Sequence, residues 1–155
     1  MKENTRKLIL MQGYENEILC DCKNVNLLVR WTPLCCALFG TLGLYLESSV
    51  YFIILGLLTT LGALSHQSFY DYIYNITLRF VLRSQKTPQH GNQRKFGCAI
   101  GALLYLIGGI GFYFDNVWLS YCPTLFIISL AYVAAFSQWC FASTIYNLLF
   151  LKSKR

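Results

Sequence analysis

The sequence predicts an all-α membrane protein: four transmembrane helices arranged as two tandem parallel hairpin repeats, each with an interfacial helical extension. Three observations carry this expectation. Of 155 residues, 55% are hydrophobic and 13% charged, whereas a water-soluble domain charges about a quarter of its residues. Four long stretches contain no Asp, Glu, Lys or Arg. Finally, the phrase SHQSFYDYIYN from Ser65 is echoed by SQWCFASTIYN from Ser137.

Residues 1–28 read as a cytoplasmic arm. Its apolar run at Leu8 to Met11 is too short for a signal-peptide core, and no small-residue cleavage site follows. Leu8, Ile9, Ile18, Leu19 and Leu27 among its charges fit a segment lying on the membrane surface. Residues 29–155 form the transmembrane domain, with a first repeat at 29–83, a cytoplasmic linker at 84–93 and a second repeat at 94–155.

The spans are Trp31 to Leu46, Ser49 to Leu64, Gly97 to Phe114 and Tyr121 to Phe141. At a rise of about 1.5 Å per residue the last two cover a hydrocarbon core of about 30 Å, and the first two fall slightly short. Soluble burial is the rival explanation, but such helices have no polar face to turn to water.

Charge sets the orientation. All thirteen Lys and Arg precede the first span, lie between the second and third, or follow the fourth, while the two opposite connections near Glu47 and Asp115 carry only acids. The positive-inside rule then puts both termini and the linker in the cytoplasm of a cell with an inner (plasma) membrane. The net charge of +6 is thereby assigned to anionic headgroups at the cytoplasmic face, and no nucleic-acid partner is expected, since no basic face is interleaved with aromatics.

The repeated phrase aligns without a gap. Ser65 meets Ser137, Phe69 meets Phe141, Ile73 meets Ile145, and Tyr74 and Asn75 meet Tyr146 and Asn147. Each copy follows the second helix of a hairpin, and each hairpin starts with a base and an aromatic, Arg30-Trp31 and Lys95-Phe96. Two hairpins of equal orientation are related by an axis along the membrane normal, where functional groups tend to meet. Gly97 and Gly101 form a GxxxG pair, and Gly40, Gly43, Gly56, Gly62, Gly108, Gly109 and Gly111 offer further flat patches where helix backbones can approach. After the second span, Phe69, Ile73, Ile76 and Phe80 recur at helical spacing, so the chain is expected to continue as a helix along the surface. SQKTPQHGNQRK is a polar turn segment, in which His90 reads as an ordinary surface side chain.

Tyr70-Asp71-Tyr72 followed by Ile73-Tyr74-Asn75, the loop ending in Arg94-Lys95-Phe96, and a fourth helix closing with Cys140 and Ile145-Tyr146-Asn147 resemble an uncharacterised bacterial membrane family, domain of unknown function 4395, over residues 30 to 152. The resemblance implies an inner-membrane protein and names no activity. Many members carry C-x-x-C at the end of the fourth helix. Here Cys140 matches the first position, Ser143 stands at the second, and Phe69 replaces a common proline.

Chemistry is sparsely written. No paired carboxylates, HExxH, GxSxG or phosphate loop is present, so conventional catalysis is not expected, and no cofactor or metal is specified. Cys35, Cys36, Cys98 and Cys140 fall near the inner ends of three helices, with His66 at similar depth. If these ends converge, they form a thiol site for soft metal, disulfide or persulfide handling; alternatively, the thiols serve as small hydrophobes. Symmetry between the copies breaks at His66 against Gln138 and Ser68 against Cys140. Three functions stay open: a non-catalytic component that binds a membrane-protein partner or a second copy; an oligomeric solute transporter lined by Thr59, Thr60, Ser65, Gln67, Ser129, Ser137 and Gln138; and thiol handling at the inner face.

Overall fold

The computed structural model describes residues 25–65, 67–82, 87, 91–137 and 139–151, and these are helical wherever they are regular. Helix α1 spans Val25–Leu46, so residues 25–28, assigned above to the arm, already belong to the first helix. Helix α2 is Ser49–Leu64. After a break come α3, Phe69–Ile73, a π-helical turn Tyr74–Leu78 and α4, Arg79–Leu82. The second half contains α5, Asn92–Tyr113, α6, Val117–Ser137, α7, Phe141–Tyr146, and a second π-helical turn, Asn147–Leu151.

The fourth apolar helix thus begins and ends about one turn earlier than charge-free length predicts. Asn116 starts it by accepting the Leu119 N–H at 3.1 Å, an N-cap signal that a hydropathy reading passes over. At its other end the chain breaks before Cys140 because the second elbow begins there. Both helix-to-helix tips turn on an acid in the left-handed conformation, Glu47 at φ 47° and Asp115 at φ 52°.

Helix α2 lies along α5, and α1 lies along α6; α5 and α6 also touch, whereas α1 and α2 scarcely do. Tyr105 of α5 reaches between the helices and donates its hydroxyl to the Cys36 carbonyl at 3.0 Å. Gly40 makes room, since a Cβ there would sit 2.6 Å from that hydroxyl. Phe52 stacks on Tyr105 and on Phe112, with ring centroids 6.0 and 5.2 Å apart, and Cys35, Leu55, Tyr70, Ile127 and Ile128 complete the core.

Among the glycines, the tightest backbone approach is between α5 and α6 at Gly111, where a Cβ would lie 2.4 Å from the Ser120 nitrogen. Pro123, one turn after Leu119, has no N–H for the Leu119 carbonyl that faces this contact. At Gly101, by contrast, a Cβ would meet nothing closer than 3.6 Å. The close crossing is therefore made by the glycines of the outer half of α5, and the GxxxG spacing at Gly97 and Gly101 does not mark it.

The elbow after α2 turns the chain by 84° and is held by a buried carboxylate. Ser68 caps α3, and Asp71 returns the bond, accepting the Ser68 N–H at 3.0 Å and its hydroxyl at 2.7 Å. The other Asp71 oxygen accepts the Thr32 hydroxyl at 2.7 Å, and Trp31 donates to the Tyr70 carbonyl at 3.0 Å. Asn75 grips Thr87 through side chain and backbone, at 2.9 and 3.0 Å. The Tyr-Asp-Tyr…Asn string is thus a latch, fastening the elbow to α1 and to one point of the linker.

The repeat motif recurs in three dimensions. Trp31 packs on Tyr74 at 5.6 Å and 57°, and the aligned Phe96 packs on Tyr146 at 5.7 Å and 56°. Each aligned elbow ends in a π-helical turn. Ser68 and Cys140 are the aligned N-caps, but only Ser68 makes a side-chain capping bond. The surface is inverted relative to a soluble protein: Leu38, Leu57, Leu61, Leu103, Leu125 and Phe136 are exposed, while Thr59, Thr124, Ser120 and Asp71 are buried.

Candidate functional site

A cavity of about 340 Å³ opens at the elbow end of the helices. Its wall is almost entirely apolar, drawn from α1, α2, α5 and α6 together with both elbows. Aligning the halves through Trp31 with Phe96 and through Ser65 with Ser137 pairs wall with wall: Thr32 with Gly97, Pro33 with Cys98, Cys36 with Gly101, Leu58 with Leu130, and Ser68 with Cys140 all line it. Residues from both halves of the chain therefore line the cavity. Most pairs differ in size or polarity, Tyr70 being matched by Ala142, while Leu58 and Leu130, and Phe69 and Phe141, are identical.

Of the sequence-derived candidates, Cys36, Cys98, Cys140 and Ser68 line this cavity. Cys35 does not; it is buried in the aromatic core. Ser143 is buried, with no hydrogen-bond partner for its hydroxyl among the described residues, and is not part of the wall. His66 and Gln138 lie outside the described residues, as do Cys20, Cys22 and His90. Tyr74 and Asn75 hold the first elbow, and Tyr146 stacks on Phe96 and Phe150 in the second. Asn147 opens the second π-helical turn.

The described cysteines do not assemble a metal centre. Among the described residues, no three His, Cys, Asp or Glu side chains gather closely enough to hold a metal ion. The soft-metal variant of the thiol site consequently has no described donor set. Cys36 instead contacts the Tyr105 hydroxyl, at 3.3 Å.

The described residues considered for a solute path do not line one cavity, Ser65 and Gln67 lining a separate pocket with Leu61 and Tyr72. Thr59, Thr60, Ser129 and Ser137 all donate their hydroxyls to the carbonyl one turn back in their own helix, and Ser129 and Ser137 are exposed on the outer surface. Only Thr59 reaches the cavity. Beyond it, toward the tips, the Tyr105, Phe52 and Phe112 rings are stacked together.

Residue-by-residue reading missed Arg94. It was taken as part of a basic approach to the third span, yet it is only 8% exposed and stands on the cavity wall. Cys98 and Cys140 line the same cavity as Arg94. The signal was present in spacing: Arg94 and Cys98 are one helical turn apart on α5, which puts them on one face. Tyr70 was also missed. It lines the same cavity, is 4% exposed, and its hydroxyl has no hydrogen-bond partner among the described residues.

Among the described residues, fold and site together define an all-helical arrangement with three helices long and apolar enough to cross a membrane, or four if α2 and its bent continuation form one span, and with a cavity at the elbow end. The family described as Domain of unknown function (DUF4395) matches residues 26–150, and the chain belongs to it. No curated protein and no solved structure matches the chain.

Proposed function

We propose that this chain is a multi-pass protein of a bacterial inner membrane, crossing four times as two tandem hairpins with termini and linker in the cytoplasm, and that it binds a small molecule in its elbow-end cavity without transforming it. The inverted surface and the one-sided distribution of Lys and Arg support insertion and orientation. The equivalent ring pairs and tip turns support the duplication. The observation that carries binding is the cavity itself: its volume lies in the range of small-ligand sites, and its apolar wall includes a buried Arg94. This reading extends the non-catalytic binding component expected from sequence. Anionic headgroups meet the basic segments at the same face, and a membrane-protein partner or second copy would dock on the exposed apolar flanks.

Size-graded thiol labelling tests it. With Cys36, Cys98 or Cys140 as the single remaining cysteine, N-ethylmaleimide is expected to react in membrane vesicles while a maleimide on a bulky dye does not. Equal labelling by both reagents would show an open surface where a cavity is claimed. A reporter fused after Arg155 should be read in the cytoplasm; an external reporter reverses the topology.

Thiol handling remains as a second reading because three of the five described cysteines share one wall. Replacing Cys98 and Cys140 together by Ser should then abolish a phenotype that ligand exclusion alone does not.

A further inference from the structure

The cavity offers a ligand little polar contact. Among the described residues of its wall Arg94 alone is charged, and it already has a partner within the chain. Three of the four hydroxyls on the wall are spent as well: Thr32 and Ser68 donate to Asp71, and Thr59 donates to the Leu55 carbonyl. Tyr70 is the exception, being 4% exposed with no hydrogen-bond partner for its hydroxyl among the described residues. A charged ligand would give up its hydration here without meeting a free counter-charge, which is costly. A buried donor that lacks an acceptor is costly too, and one neutral oxygen relieves it.

The approach to the cavity is equally apolar. Phe69, Phe126 and Phe141 belong to its wall and are 40, 52 and 40% exposed, so the wall reaches the outer surface through aromatic side chains. Inward it continues through Ile100, Ile127 and Leu130. At roughly 30 Å³ per water-sized group, 340 Å³ accommodates about a dozen such groups, enough for a short single chain and too little for a two-chain lipid.

We propose that the cavity binds an uncharged, hydrocarbon-soluble single chain, lying against α5 and α6, whose one neutral oxygen accepts the Tyr70 hydroxyl. This inference rests on the cavity being a binding site, and adds the chemical class of the ligand.

The test uses the full chain in nanodiscs of zwitterionic phospholipid, with a ten-carbon alcohol bearing a terminal diazirine as photoprobe and cross-linked peptides identified by mass spectrometry. Cross-links are expected on peptides of α5 and α6 that contain Ile100 and Phe126 to Leu130. Competitors are compared at equal mole fraction in the bilayer. Decanol should compete, and so should decan-2-one, which keeps the acceptor oxygen and has no donor. Decane, with no oxygen, should compete about five-fold more weakly, as the loss of one hydrogen bond requires. Decyl sulfate and decyltrimethylammonium, which hold their charge at any pH, should each compete at least about ten-fold more weakly than decanol, because neither charge finds a free partner. Tyr70→Phe should erase the advantage of decanol over decane and leave decane competition unchanged.

Either charged competitor matching decanol, with cross-links still on the cavity peptides, would overturn the uncharged ligand while leaving the binding site in place. Decane matching decanol in the unmodified chain would overturn the bond to Tyr70. Cross-links scattered over exposed flanks such as Leu57 and Leu103, unaffected by any competitor, would overturn both the ligand class and the binding site. The competitor series needs no variant, so it decides the matter even if Tyr70→Phe fails to fold.

Discussion

Asp71 offers the sharpest test of the latch. Its carboxylate is 1% exposed and takes three bonds from Thr32 and Ser68, at 2.7, 3.0 and 2.7 Å. A hydrogen bond to a charged group contributes about 1.5–3 kcal/mol, and stranded donors cost their desolvation. Asp71→Ala leaves two buried hydroxyls and one buried N–H without this acceptor, so a loss of about 4 kcal/mol is expected, with the three bonds less than additive. Asp71→Asn should cost nearly as much, because its amide would set a donor against either Thr32 or Ser68. Thr32→Val removes one bond and should cost about 2 kcal/mol. Since both variants lose the same bond, the double variant Thr32→Val/Asp71→Ala should fall short of the sum by at least about 1 kcal/mol. Reversible unfolding in mixed micelles, followed by tryptophan fluorescence, measures all four proteins. A loss below about 1 kcal/mol for Asp71→Ala, or strict additivity, would refute the claim that this carboxylate fastens the elbow to α1.

Other outcomes follow from the packing. Gly111→Ala puts a methyl 2.4 Å from the Ser120 backbone nitrogen, where only backbone movement can relieve it; a loss of about 3 kcal/mol in the same unfolding assay is expected. Gly101→Ala meets only ordinary contacts at 3.6 Å and beyond, and should be neutral or stabilise by up to about 1 kcal/mol through helix propensity. Asn75→Ala removes both bonds to Thr87, and faster hydrogen exchange at the Thr87 amide, with α5 exchange unchanged, is the expected result. Tyr105→Phe removes the bond to the Cys36 carbonyl while keeping the ring on Phe52, and should cost about 1 kcal/mol by thermal unfolding.

The architecture was legible where the physics is one-dimensional. An uninterrupted apolar run reports its own preference for lipid, so the four helices and their approximate ends could be read directly. The echo of Ser65 to Asn75 at Ser137 to Asn147 was equally visible, and so was the corresponding aromatic at Trp31 and Phe96. Helix ends set by capping were less so, because Asn116 acts through one hydrogen bond that hydropathy does not register. Gly111 was among the glycines read as flat patches for close approach, but nothing in its spacing singled it out over the GxxxG pair for the close crossing. Spacing says which residues share a face, and only the crossing of α5 over α6 decides that Gly111 faces backbone while Gly101 faces side-chain tips.

The site divides in the same way. That several cysteines and one elbow lie at a common depth follows from counting residues along helices. Which of them meet does not, because depth leaves the rotation of each helix free. Tertiary packing turns Cys36, Cys98 and Cys140 to one cavity and Cys35, the immediate neighbour of Cys36, into the core. It also gathers Arg94 and Tyr70 there, from segments that read separately as a basic loop end and an interfacial aromatic. By itself the sequence determined long apolar helices, an echoed elbow phrase and bases confined to the segments outside the apolar runs, since hydropathy and charge are properties of residues in order. Only the tertiary structure decided that residues from both halves line one cavity, since a cavity is a property of helices packed around it.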